Sequence, residues 1–169
     1  GAGRLAAITG TNGKTTTTAL TGEILKAQFE EVFVAGNIGD PYTGQVPQMT
    51  EDSVTVLEVS SFQLETIMDF KPDVSAILNI TPDHLDRHGT MENYIQIKEG
   101  ITLNQTDKDA VVLNYDDPVL REFGEREDLK PRVIWFSSRE KLKDGFCMDG
   151  DEIVWCQNGR QTSLVNVKE

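Results

Sequence analysis

The segment that most constrains this chain lies near its start. An apolar run, Leu5-Ala6-Ala7-Ile8, leads directly into Thr9-Gly10-Thr11-Asn12-Gly13-Lys14-Thr15. After it, Thr16 to Gln28 carries Leu20, Ile24 and Leu25 and then Ala27, the spacing of a helix with a modest apolar stripe. A strand, a glycine-rich loop and a helix in that order open an α/β fold. They also prepare an anion site. Glycines let the backbone turn tightly and bring N–H groups against phosphate oxygens. A helix starting near Lys14 adds about +0.5 of partial charge at its N-terminus. In the general phosphate loop, G-x-x-x-x-G-K-[ST], the lysine reaches the β- and γ-phosphates and the hydroxyl ligates Mg²⁺. The first glycine of that pattern falls at Ile8 here, so the loop is a shortened variant. Gly10, Thr11, Asn12, Gly13, Lys14, Thr15 and Thr16 are the nucleotide-binding candidates, with Thr15 as a metal ligand. The alternative is a glycine-rich turn with an incidental lysine.

The rest of the chain continues the alternation. Strands are expected at Phe33–Ala35, Val54–Val59, Val74–Ile80, Ala110–Asn114 and Val133–Phe136. Helices are expected at Phe62–Phe70, at Thr90–Asn104 with Thr90 as N-cap, and at Pro118–Phe123 with proline early. Asp40–Asp52 reads as loop or weak helix, and Thr81–His88 as a polar loop. The tail differs: short strands Phe146–Met148, Ile153–Cys156 and Ser163–Val167 are separated by Asp149-Gly150-Asp151 and the hairpin signal Asn158-Gly159. The expected fold is α/β and P-loop-containing: a mostly parallel sheet flanked by helices over 1–137, then a small C-terminal antiparallel β meander over 138–169.

A length of 169 residues fits one domain. The net charge of −12, from 16 Lys+Arg against 28 Asp+Glu, argues against nucleic-acid and anionic-membrane partners, which want a basic face. No apolar run approaches a membrane span, and no basic-then-apolar leader opens the sequence. Cys147 and Cys156 form no CxxC and read as ordinary strand residues in a reducing, cytoplasmic setting.

In an open α/β sheet, ligands gather beyond the carboxyl ends of the strands. Glu58 is an acid inside an apolar strand that ends on Ser60-Ser61. A buried carboxylate without a cation is costly, so Mg²⁺ is a natural partner, against the alternative of an exposed sheet edge. His84 lies beyond the next strand, between Asp83 and Asp86, and His88 is the weaker candidate. Lys98 sits mid-helix, where a lysine is usually a solvated or snorkelling side chain. One imidazole beside oxygen ligands suits Mg²⁺ or Mn²⁺.

These residues carry a family resemblance. The Gly10–Thr15 loop, the Gly36-Asn37-Ile38-Gly39 turn, Leu57-Glu58-Val59-Ser60-Ser61-Phe62-Gln63-Leu64-Glu65, Asn79-Ile80-Thr81-Pro82-Asp83-His84-Leu85-Asp86-Arg87-His88, and Tyr94 followed by Lys98 occur in this order in the Mur ligases. The chain resembles the central ATP-binding domain of that family. Its Ser-Ser-Phe-Gln-Leu-Glu run and Gly-Asn-Ile-Gly turn look most like the member that adds D-glutamate to UDP-N-acetylmuramoyl-L-alanine in peptidoglycan synthesis. The resemblance implies that Lys14 binds ATP phosphates, and that Thr15 and Glu58 hold a first Mg²⁺. It implies that His84 ligates a second Mg²⁺, supported by Lys98 as a carbamate. Asn37 would contact the UDP-sugar substrate, with Ser60 and Gln63 lining the same cleft. The alanyl carboxylate would attack the γ-phosphate, and the amine of D-glutamate would then displace phosphate from the acyl phosphate.

Family members also carry an N-terminal domain for the uridine nucleotide and a C-terminal domain for the amino acid. This stretch is therefore expected to be the middle of a three-domain, bacterial, monomeric enzyme and to lack ligase activity by itself. Another amino-acid-adding Mur ligase or a folylpolyglutamate synthase is the nearest alternative, and the Ser-Ser-Phe-Gln-Leu run argues against both. A stand-alone P-loop kinase or GTPase would need a guanine motif or a lid arginine cluster, and neither is found. The remaining alternative is a non-catalytic nucleotide-binding or structural module.

Overall fold

The computed structural model describes residues 3–37, 41–83 and 85–168. Ile38 and Gly39 of the expected turn, and His84, lie outside the described residues. The strands are β1 (Arg4–Thr9), β2 (Val32–Gly36), β3 (Val54–Glu58), β4 (Val74–Ile77), β5 (Ala110–Asn114), β6 (Arg132–Ser137), β7 (Gly145–Asp149), β8 (Glu152–Gln157) and β9 (Arg160–Asn166). The helices are α1 (Lys14–Leu25), α2 (Tyr42–Gln45), α3 (Ser61–Leu64), α4 (Leu85–His88), α5 (Met91–Glu99) and α6 (Pro118–Gly124).

The strands form one sheet in the order β2-β3-β1-β4-β5-β6-β7-β8-β9. Pairing is parallel from β2 through β7 and antiparallel across β7, β8 and β9. The meander is not a separate layer, because Phe136 and Ser137 pair in parallel with Phe146 and Cys147 and extend the same sheet. Asn158 and Gly159, at φ 51° and 74°, make the expected tight hairpin.

Side chains alternate between the two faces of each strand, so the faces differ. On one, α1 packs over β1, β2 and β3. Gly22 allows this close approach: a Cβ there would lie 2.3 Å from Val34 Cγ2. The other face holds the main core. Ala7, Leu57, Ile77, Val111 and Leu113 pack there against Tyr94, Ile101, Leu120 and Phe123.

Several expected elements are shorter or different. The helix expected over Phe62–Phe70 closes at Leu64, where the Thr66 hydroxyl donates to the Gln63 carbonyl at 3.4 Å and competes for a helical acceptor. The strand expected over Val74–Ile80 ends at Ile77, because residues 79–81 turn away to other partners. The stretch expected as loop over Thr81–His88 contains the one-turn helix α4. The Thr90 hydroxyl does cap α5, accepting from Asn93 N at 3.2 Å, but the helix tightens into a 3₁₀ turn at Gly100–Thr102 instead of running to Asn104.

The topology places the site. The chain leaves β1 through α1 toward β2 on one side, whereas β4 connects to β5 on the other. The connections leaving adjacent strands β1 and β4 thus diverge to opposite sides, which marks the topological switch point of the sheet, beside which α/β domains place their ligands. No helix among the described residues is long and apolar enough to cross a membrane.

Candidate active site

The glycine-rich loop lies at this switch point. Gly13 takes the left-handed conformation at φ 81° as N-cap of α1. A Cβ on Gly10 would stand 3.1 Å from Leu78 Cβ, so glycine lets the loop lie against the exit of β4. No side chain caps α1, and its first turn holds no acidic residue, so that turn's N–H groups meet no side-chain acceptor or competing anion. Thr15 and Thr16 are exposed in this turn. Lys14 folds back on the loop, donating from Nζ to the carbonyls of Gly10 (3.0 Å) and Thr11 (2.9 Å).

Lys98 comes to the same place from α5. Its side chain is 1% exposed, and Nζ donates to the Gly10 carbonyl at 3.0 Å and to Thr9 Oγ1 at 3.3 Å. Two ammonium groups therefore converge on one carbonyl oxygen. Burial, and then the charge of Lys14, lower the Lys98 pKa to about 8, with Asp83 opposing. The lowered pKa puts more of this amine in the neutral form than an ordinary lysine has, and only a neutral amine can take up CO₂ as a carbamate. Its place mid-helix gave this lysine no such prominence; only the family resemblance singled it out. Tyr94, one turn earlier, is buried beneath it, with Nζ 5.0 Å from the ring centre. The Tyr94 hydroxyl meets Thr11 Oγ1 at 3.1 Å, and burial raises its pKa.

Glu58 ends β3 beside β1 and is 2% exposed. Its Oε1 accepts from Asn37 Nδ2 at 3.1 Å, while buried Oε2 has no partner. An orphaned carboxylate oxygen costs free energy unless a cation completes it, and an oxygen donor suits a hard divalent ion. The expected substrate residue Asn37 is thus placed next to the expected metal ligand. Ser60 and Gln63 form a capping box at α3: Ser60 Oγ accepts from Gln63 N (3.3 Å), and Gln63 Oε1 accepts from Ser60 N (2.9 Å). Both therefore have a structural duty, which the sequence reading of them as cleft residues did not include. Among the described residues no three His, Cys, Asp or Glu side chains cluster as a ready-made metal site.

His88 is buried and structural. Its Nε2 lies 3.0 Å from Ser61 Oγ and its Nδ1 2.8 Å from Glu65 Oε1, and its ring sits between Phe62 and Tyr94. It ties α3 to α5. Residues 78–81, at the exit of β4 and hydrogen-bonded to the loop, are a set of positions that sequence reasoning left without roles. Asn79 contacts the loop, while Asp117, the N-cap of α6, accepts from Ile80 N at 2.8 Å. The available signal was a polar residue just past an apolar strand at the carboxyl edge.

A doubly wound parallel sheet with a glycine-rich strand-to-helix loop at its switch point defines an α/β domain of the phosphate-loop class. The sequence is more specific: residues 8–164 match the Mur ligase middle domain, and the chain belongs to the Mur ligase family. It is 53% identical to the UDP-N-acetylmuramoylalanine–D-glutamate ligase of Lachnoclostridium phytofermentans over 167 residues, 99% of this chain and 36% of that protein. The same-named ligase of Lachnospira eligens is also 53% identical, over 99% of this chain and 37% of its own length. The chain thus spans little more than a third of these relatives. Among solved structures, MurF ligase from Thermotoga maritima in complex with ADP superposes with a TM-score of 0.67 at 23% identity, over 98% of this chain and 41% of that one. E. coli FolC in complex with ADP gives a TM-score of 0.59 at 15% identity, over 95% of this chain and 48% of that one. Both likenesses are of fold.

Proposed function

We propose that this chain is the central, ATP-binding part of a longer ligase that joins D-glutamate to UDP-N-acetylmuramoyl-L-alanine, acting as a monomer in the bacterial cytoplasm. One observation carries the reading: Lys14 and buried Lys98 meet at Gly10 beside an uncapped helix start, with the half-satisfied Glu58 on the neighbouring strand. The names of the half-identical relatives support the choice of substrates.

Thr15 and Glu58 are oxygen donors suited to one Mg²⁺, and the unpartnered Glu58 oxygen is what such an ion would satisfy. His84 and carbamylated Lys98 are assigned to a second. Bound Mg²⁺ supplies neutralisation of the charge on the transferring phosphoryl group. The chain's own residues bind and orient. Amides of the first turn of α1 hold the phosphates, and Lys14 exchanges its loop carbonyls for the β- and γ-phosphates. Asn37, Ser60 and Gln63 face the sugar-peptide. The alanyl carboxylate oxygen bonds to the γ-phosphorus as its bond to ADP breaks. The amine of D-glutamate then bonds to the acyl carbon and loses a proton, and inorganic phosphate leaves. Phosphoryl transfer asks of a protein mainly positioning and charge, which these groups provide.

Thermal unfolding of the full-length protein tests the nucleotide site. MgATP raises the midpoint of the wild type and not that of Lys14→Ala. Equal shifts in both would contradict the assignment of the loop.

A further inference from the structure

We infer that Asn79 is a positioning residue of the phosphate loop: it holds the main chain of Thr11 and Asn12 and leaves the nucleotide phosphates to the amides of Gly13–Thr16. The inference rests on the nucleotide-binding reading above and deepens it. Asn79 lies two residues beyond β4, directly against the loop. Its carboxamide clasps one loop residue from both sides. Oδ1 accepts from Asn12 N at 2.8 Å, and Nδ2 donates to the Asn12 carbonyl at 3.0 Å. Its own main-chain carbonyl accepts from Thr11 N at 2.9 Å. Two consecutive loop amides are therefore committed to protein. From Gly13 onward the pattern changes. The first helical bond is Thr17 N to the Gly13 carbonyl at 3.0 Å, and no side chain caps the amides before it. The amides of Gly13, Lys14, Thr15 and Thr16 are the orphan donors that any helix start presents.

The clasp is itself braced. Leu78 N donates to the Thr9 carbonyl at 3.0 Å, and Asn114 Nδ2 to the Leu78 carbonyl at 3.1 Å. Ile80 N donates to Asp117 Oδ2 at 2.8 Å, and Thr81 N to Thr11 Oγ1 at 3.0 Å. Four successive residues are thus tied to β1, β5, α6 and the loop. Chemistry explains the residue type. Clasping a peptide needs one acceptor and one donor on a planar group, which asparagine has. Aspartate would turn an acceptor toward the Asn12 carbonyl, and alanine would leave both main-chain groups without this partner.

The test uses the full-length protein with ADP and Mg²⁺ as the probe. Calorimetry is expected to show wild-type binding, and an affinity weakened about tenfold or more in Asn79→Ala and Asn79→Asp, the loss of one to two hydrogen bonds. The KM for ATP is expected to rise in parallel while the KM for D-glutamate stays unchanged, a split that general destabilisation would not produce. Amide-resolved hydrogen exchange on the wild type needs no variant to fold. Thr11 and Asn12 are expected to be protected without nucleotide, and Gly13–Thr16 to gain protection when it is added. Failure of the wild type to bind ADP overturns the nucleotide reading and this inference with it. Wild-type binding alongside undiminished binding by both variants overturns this inference alone, as does equal nucleotide-induced protection at Thr11, Asn12 and Gly13–Thr16.

Discussion

Lys98 and Glu58 are buried ionisable groups that cost stability, and each is proposed to serve the nucleotide site. Lys98 is nearly inaccessible, and its ammonium shares one carbonyl with Lys14. Its pKa falls from an ordinary lysine value of 10.5 to about 8. The unfolded chain therefore holds more protons than the native one between about pH 8 and 10.5, so stability rises with pH across that window. Below it, lysine is charged in both states, and the burial cost is fully present. The cost is about 3 kcal/mol for a shift of this size. Denaturant titrations from pH 7 to 10.5 are expected to show this rise in the wild type, and its loss in Lys98→Met. Parallel curves would contradict it. Glu58→Gln is expected to leave nucleotide-free stability unchanged or raised, since a neutral amide is cheaper to bury than a half-paired carboxylate. It should abolish the Mg²⁺-dependent part of the ATP-induced rise in melting temperature. A variant that keeps the full rise would remove Glu58 from the metal assignment.

Elements were legible in the sequence to differing depths. The strands declared themselves, because their β-branched and apolar runs end on polar or glycine residues, as Val54–Glu58 and Ala110–Asn114 do. The phosphate loop, the Thr90 cap and the proline-led α6 were equally local signals. Places that depend on long-range partners were not. The end of β4 is set by Thr11, Asn114 and Asp117, far away in sequence, and the lone turn of α4 has too few residues for a periodic pattern. Lys98 was assigned from motif order, since the physics that singles it out is tertiary. Local and tertiary terms also compete in α1. Alanine is favoured over glycine by about 1 kcal/mol in a helix interior. At Gly22, however, the new Cβ would meet Val34 at 2.3 Å, so overpacking wins. Gly22→Ala is expected to lose about 1–3 kcal/mol net in denaturant unfolding. Ser60→Ala, which removes only a cap, is expected to lose about 1 kcal/mol. A stabilised Gly22→Ala would contradict the packing of α1 on β2.

At the scale of the molecule, two features stand out. A chain of net charge −12 is read as binding a polyanionic nucleotide, and the helix start, Lys14 and the two proposed Mg²⁺ ions reverse the sign locally. The face of the sheet beyond α1 is also open, with Val112, Phe136, Phe146 and Ile153 lining an apolar hollow beside Thr17 and Thr21. Apolar patches of this kind bind hydrophobic dyes and promote association. The 169-residue chain alone is expected to enhance anilinonaphthalene sulfonate fluorescence, and Phe146→Ser with Ile153→Ser to reduce it. No enhancement would mean that this face is closed in solution.

Which bond the complete protein makes decides the assignment. The direct measurement is ADP release from ATP by the full-length protein supplied with UDP-N-acetylmuramoyl-L-alanine and one amino acid at a time. D-glutamate is predicted to drive release, with a product one glutamyl residue heavier. Release driven by another amino acid, with D-glutamate inert, would contradict the assignment.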